Sequence, residues 1–410
     1  MSDDALARLA PVSPAERYEF LDMLRGAALL GIVTANTYLY SLYYRLSDGA
    51  KTALPTAAAD GPVEFIELWL VEFKFYTLFS LLFGVGFSIL LSRASAKGIG
   101  FRRFFVRRAA FLFLIGVAHA VFVWQHDILG TYALCGILLL PFVSARPRTI
   151  LAVAIAALLA PILLHPLGGV PVGWLTGAQT ALYERFGYSR ETVLLTYTQG
   201  SVADIVRLNA CNWLGQVSGL ISSGIIFRIY GCFLLGFLFG RQEIYKQLPQ
   251  HRLLIKRIAL WGLLIGLLLN FFYARVFETR TWADVLLGSF AVLPLSLAYA
   301  AMLYLIWLGP GGPRRLRHFA PVGRMALTNY IGQSVLCTLI FYNTGLGLAG
   351  TVGPTVYIPI GFAVYTIQVA ASGWWLARYR FGPLEWLWRM ATYGQWISPS
   401  KSAARAEGAA

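Results

Sequence analysis

The chain has 410 residues, 58% of them hydrophobic and only 13% charged, with a formal net charge of +15. An ordinary soluble domain carries about 25% charged residues, and one water-facing core has no room for so much apolar side chain. The basic residues sit in short clusters between apolar stretches, the pattern of cytoplasmic loops, which argues against a nucleic-acid partner.

The first apolar stretch follows Asp22 and Arg25 and is too long for a signal-peptide core, so it reads as a retained first span. At about 20 apolar residues per crossing, ten segments qualify or nearly so: 24–44, 73–91, 108–124, 127–145, 148–166, 221–240, 254–274, 284–308, 325–343 and 356–377. Only Trp124-Gln125-His126 separates the third from the fourth, a tight hairpin, and the second is open to an earlier start near Val63. The expected organisation is an N-terminal half of five spans (1–166), an extracytoplasmic subdomain with one or two interfacial helices (167–220), a C-terminal half of five spans (221–398) and a disordered tail (399–410). With the N-terminus inside, every inner loop is basic and two outer loops carry no basic residue. The fold class is therefore an all-α, polytopic membrane protein, N-in and C-in.

Four cysteines, Cys135, Cys211, Cys232 and Cys337, are far apart and have no metal-like spacing, so neither a disulfide framework nor a metal site is expected. No soluble-enzyme motif is present, and Gly84-Val85-Gly86 reads as helix packing.

An ionisable group at mid-membrane costs about 2.5 kcal/mol or more, so embedded polar residues are the best functional guide. Arg25 shares a helix face with Asp22, and Asn36 lies about 16 Å deeper; the plainer reading makes Asp22 a cap and Arg25 an interfacial anchor. His119 falls at similar depth, counted from Arg108, and can move protons near neutral pH. Asp127 opens the fourth span as cap or partner, and His126 in the hairpin reads as bland. Glu64 and Glu67 share one face; Glu72 and Lys74, deeper, are candidates for lining an aqueous cavity and pairing across helices. Asn209, Asn212 and Gln216 precede Arg228, whose expected partner is Glu72, Asp127 or an anionic substrate. Asn329 and Gln333, four apart, either bind substrate or hydrogen-bond to a neighbouring helix.

Several stretches together resemble the YeiB-like bacterial membrane proteins, known as a domain of unknown function: Leu21-Asp22-Met23-Leu24-Arg25-Gly26, Phe79 to Gly84, His119 through Asp127-Ile128-Leu129 with Tyr132-Ala133, Gly323 to Tyr330, and Gly382-Pro383-Leu384-Glu385-Trp386. The opening motif is also similar to that of the wider membrane acyltransferases, including bacterial polysaccharide O-acyltransferases and the lysosomal heparan-glucosaminide acetyltransferase. These resemblances imply a bacterial cytoplasmic membrane and acyl-CoA as the cytoplasmic donor; no metal is expected. In the polysaccharide O-acyltransferases an Arg is followed eleven residues later by a functional His; Arg25 matches, but the second position is Asn36, which cannot be a base. The reading that follows gives Arg25 with Arg103, Arg107 and Arg108 the donor's phosphates, His119 the base, and Asp127 or Asn36 its orientation. Glu72, Lys74, Arg228, Asn329 and Gln333 are then the candidates for contacting a glycan, lipid or small-molecule acceptor. The alternatives are a transporter or flippase-like carrier and a non-catalytic structural or sensory subunit. The other partner expected is the lipid bilayer; homo-oligomerisation stays open.

Overall fold

The computed structural model describes residues 18–98, 100–167, 170–277, 279 and 281–401. Arg8, Arg17, the Gly168-Gly169 pair and the tail beyond Lys401 lie outside the described residues. Within them the chain is all-helical, and its main helices are α1 (Glu19–Tyr40), α2 (Ala57–Leu70), α3 (Lys74–Ala96), α4 (Phe101–Phe122), α5 (Leu129–Ile137), α6 (Pro147–Leu164), α7 (Gly173–Phe186), α8 (Arg190–Gln199), α9 (Val202–Ser222), α10 (Ile225–Arg241), α11 (Arg252–Val276), α12 (Trp282–Phe290), α13 (Val292–Trp307), α14 (Phe319–Arg324), α15 (Ala326–Phe341), α16 (Pro354–Arg378) and α17 (Pro383–Tyr393).

Several long helices turn large apolar side chains outward. Along α11, Leu253, Leu260, Trp261, Leu264, Leu268 and Phe272 are all exposed, while Asn270 on the same helix is fully buried. Large apolar groups facing outward over whole helices, with polar groups inside, suit a hydrocarbon surround. Among the described residues six helices are long and apolar enough to cross a membrane, or seven if the pair α9 and α10, bent by 66°, counts as one span.

That count differs from ten for identifiable reasons. Helix α1 is long enough, but its Asp22, Arg25 and Asn36 lower its apolarity; it runs through the interior, packed against α3, α14, α15 and α16. The expected fourth span, 127–145, holds only the nine-residue α5 and a short 3-10 turn at Leu140–Phe142, where Pro141 cannot continue the α-helical ladder. The ninth is the 16-residue α15. Both also expose apolar side chains, Leu134 on α5 and Val335 and Leu339 on α15. The sixth breaks at Gly224, whose φ of +75° suits glycine, so α9 runs up to it from the segment assigned to the outer subdomain. That subdomain contains three helices, α7, α8 and α9, rather than one or two. Pro399 to Lys401, the start of the segment expected to be disordered, are held to the end of α16: Arg380 N–H donates to the Pro399 carbonyl at 2.9 Å and Lys401 Nζ to that of Leu376 at 2.6 Å.

Two close approaches fix the centre. A Cβ on Gly26 of α1 would collide with the Phe319 carbonyl of α14, and one on Gly323 with the Asp22 carbonyl. Likewise Gly84 of α3 and Gly236 of α10 let two backbones touch. Around the second contact stacks an aromatic layer, with Phe83 4.3 Å from Phe233 and Phe87 edge-on to Phe105 and Phe237.

Gly26→Val should therefore push α14 away and lower stability by about 1–3 kcal/mol or more, read as lost monodispersity and a lower unfolding midpoint in detergent. Gly49→Ala, with open space around it, should leave both unchanged.

Candidate functional site

The helices enclose one large chamber of about 1290 Å³, above the usual range for small-ligand sites. Both halves of the chain line it. Its two ends are electrically opposite.

At one end stand Arg25, Arg93, Arg108, Arg324 and Arg389, with Asp22 and Glu385 as the carboxylates. They lie near the start of α1, the end of α3, the start of α4, the end of α14 and on α17, which helix direction brings to one side. Arg25 donates to Asp22 at 2.8 Å. The Arg108 guanidinium sits 3.5 Å from the centre of the Trp388 ring, a cation–π contact. Glu385 is committed: it accepts from the N–H groups of Leu327 and Thr328 at 2.7 and 3.0 Å and from the Thr328 hydroxyl at 2.6 Å. A carboxylate there caps the N-terminus of α15, reached from the first turn of α17.

The middle is apolar: Leu29, Ile32, Phe79, Leu82, Leu112 and Leu129 face the space. The other end carries Glu64, Glu67, Glu72, Asp284 and Arg228, with Asn36, His126 and Gln216. His126 Nδ1 lies 2.9 Å from Gln216 Oε1. Phe73, where α2 turns into α3, has φ +66° and also lines the chamber; a non-glycine residue there is strained and over-determined by its neighbours.

His119 and Asp127 sit just behind the wall. Both are almost fully buried. His119 Nδ1 is 2.9 Å from Asp127 Oδ1, and Asp127 Oδ2 accepts from Gly130 N–H at 2.8 Å. With Asp127 so fixed, the natural tautomer carries its proton on Nδ1 and a lone pair on Nε2. Nε2 has no hydrogen-bond partner. The ring of Tyr330, which does line the chamber, is 5.4 Å from the imidazole centre.

The structure thus sorts the residues singled out in the sequence. Arg25, Asn36, Glu72, Arg108 and Arg228 line the chamber, whereas His119 and Asp127 adjoin it. Arg103 and Arg107, expected beside Arg25 and Arg108 on the donor's phosphates, do not line the chamber. The face of α4 that does is Phe105, Arg108, Ala109 and Leu112, and Arg107 falls about 100° away from Arg108. Lys74 also does not reach it; the broken helix at Val71–Phe73 frees the Leu68 carbonyl, which accepts from Lys74 Nζ at 2.6 Å. Asn329 and Gln333 make interhelical ties and do not line the chamber: Asn329 donates to Ser372 at 2.9 Å and Gln333 to Gln368 at 2.9 Å. Arg228 donates to the Gly288 carbonyl at 2.9 Å, and Asp127 belongs to His119. Asn209 and Asn212 join a network around the Tyr197 hydroxyl.

Sequence reasoning missed Arg93, Arg324, Arg389 and Glu385 as chamber residues, and gave His126 no role. The quoted Gly323–Tyr330 and Gly382–Trp386 stretches held the signal for Arg324 and Glu385.

A family described as "Protein of unknown function (DUF418)" matches residues 239–395, the segment that supplies Arg324, Glu385, Trp388 and Arg389. The chain is 32% identical over 406 residues to the uncharacterized protein YxaH of Bacillus subtilis, covering 95% of this chain and 98% of that protein. It is 30% identical over 397 residues to an uncharacterized 39.9 kDa protein in the amylase 3' region of Bacillus acidopullulyticus, covering 94% and 96%. To the uncharacterized protein YeiB of Escherichia coli it is 28% identical over 402 residues, covering 92% and 96%. The chain belongs to this YeiB-like family. Arg25, Arg93 and Arg108 of this YeiB-like protein come from outside the matched 239–395 segment, so the chamber needs the whole chain.

Asp127→Ala should leave the Gly130 N–H and the His119 Nδ1–H unsatisfied in an apolar site and cost about 1–3 kcal/mol each. Asp127→Asn, which keeps one acceptor oxygen, should recover part of that loss in thermal unfolding of the detergent-solubilised protein.

Proposed function

We propose that this protein is an acyltransferase-like enzyme of the bacterial cytoplasmic membrane, taking an acyl group from cytoplasmic acyl-CoA and passing it to a sugar, lipid or small-molecule acceptor. The single observation that carries the reading is a chamber with an arginine-lined end and, about 16 Å deeper along α4, a buried His–Asp pair behind its wall. In this reading the chain crosses the bilayer ten times, with both termini in the cytoplasm, and the arginine end faces the cytoplasm, as the basic loops beside it favour.

Arginine matches phosphate bidentately, so Arg25, Arg108, Arg324 and Arg389 would hold the nucleotide portion. The acyl chain would lie along Leu29, Leu82 and Leu112. Tyr330 would swing aside to bring the thioester and acceptor to His119 Nε2. That nitrogen would take the acceptor's proton as the acceptor oxygen or nitrogen bonds to the thioester carbonyl carbon. The carbon–sulfur bond then breaks, and the departing thiolate receives the proton back from the imidazolium. Asp127 would hold the ring and stabilise its charged form; Asn36 would orient the acceptor.

A carrier reading has one supporting observation, a continuous chamber from the arginine end to the glutamate end. The two separate in a single assay, radiolabelled acyl-CoA given to sealed vesicles of each orientation. Acyl transfer predicts free CoA from inside-out vesicles only, reduced about 100-fold or more by His119→Ala, with a raised KM in Arg25→Ala. Intact acyl-CoA or substrate crossing the membrane without CoA release would replace this reading with the carrier. Release indifferent to both substitutions would end it.

A further inference from the structure

We propose that the glutamate end of the chamber is a binding site for a ligand bearing an organic ammonium group. The proposal rests on the chamber being this protein's ligand site, and not on which reaction occurs there.

Glu67 is the anchor. It is 4% exposed and lines the chamber. Its Oε2 accepts from the Tyr357 hydroxyl at 2.8 Å, while Oε1 has no hydrogen-bond partner although it is buried. A buried carboxylate oxygen without a donor needs one from somewhere, and the chamber is the space it borders. Glu64, one turn earlier on α2, and Glu72 line the same space, and Asp284 adds a fourth carboxylate. Arg228, which lines that end, and the nearby Lys74 donate to the Gly288 and Leu68 carbonyls and keep their charges. Four carboxylates against these two cations leave the local field favouring a cation entering from the chamber.

The surroundings favour an organic cation over a metal ion. No group of three His, Cys, Asp or Glu among the described residues is close enough to hold a metal. The carboxylates are interspersed with aromatic rings: Tyr38 lines the chamber 6.5 Å from Tyr357, and Phe73 and Tyr76 pack edge to face at 5.7 Å. Aromatic faces attract ammonium groups but supply none of the oxygen ligands that a hard cation takes. Glu67 would accept one N–H, and Tyr38 with Tyr76 would cover the carbon-bearing side. The opposite polarity of the two chamber ends then orients a ligand or a ligand pair, anion toward Arg25 and cation toward Glu67.

The test is calorimetric titration of the full chain in lipid nanodiscs with phenethylamine, set against its neutral isostere 2-phenylethanol and against empty nanodiscs. The expected result is saturable binding of the amine alone, weakened tenfold or more by Glu67→Gln, which keeps the Tyr357 contact, and measurably by Glu64→Gln. Unfolding midpoints confirm that both variants are folded. Equal binding of amine and alcohol, or amine binding untouched in both folded variants, overturns the proposal. Titration with a CoA thioester in the same nanodiscs tests the other end: its failure with amine binding intact removes the acyl-donor reading and leaves the ammonium site standing.

Discussion

Hydrocarbon offers no partner to a charge, and this fold depends on how it answers that constraint. The charged and amide side chains of α1, Asp22, Arg25 and Asn36, turn inward onto a shared chamber, while α6 and α11 present leucines outward. Placing so polar a helix at the centre requires its neighbours to come close. Gly26 against Phe319 and Gly323 against Asp22 provide that closeness. The chamber, its opposed ends and the His119–Asp127 pair all follow from α1 being interior.

Within the chamber two kinds of polar residue have different jobs. Some are fully satisfied and hold helices in place: Glu385 caps α15, Asn329 reaches Ser372, and Lys74 covers the carbonyl left by the broken α2–α3 junction. Others keep an open valence toward or beside the cavity, notably His119 Nε2 and Glu67 Oε1. In a low-dielectric interior an unmatched donor or acceptor is expensive. The satisfied set therefore accounts for stability, and the unsatisfied set is where a ligand gains most.

Much of the architecture was legible because its rules are local. Apolar runs and basic loops gave an all-helical chain with membrane-spanning helices, and the short hairpin kept His119 near Asp127. Arg25 and Asn36 were found together because eleven residues of helix separate them along nearly one face. What stayed hidden depended on distant contacts. Nothing within Arg324 to Gln333 says that Glu385 caps the helix or that Gln368 receives Gln333. Lys74 read as a deep charge because the left-handed turn at Phe73, which frees its carbonyl partner, has no sequence signature. Arg107 and Arg108 are adjacent in text but a third of a turn apart in space, and periodicity from Phe105 to Leu112 would have separated them. The short α5 and α15 show that an apolar run does not fix helix length: Pro141 ends the α-helical ladder within 127–145, and α15 stops at Phe341.

The central claim is that the internal chamber is a ligand site whose arginine end holds the phosphates of a thioester that reaches inward toward His119. Its most direct test is a cryo-EM map of the chain in nanodiscs with a non-hydrolysable acyl-CoA thioether. The account predicts nucleotide density among Arg25, Arg324 and Arg389, an acyl chain along Leu29 and Leu82, and Tyr330 displaced from His119. Nucleotide density confined to the outer surface, with the chamber filled by bulk lipid and Tyr330 unmoved, would contradict it.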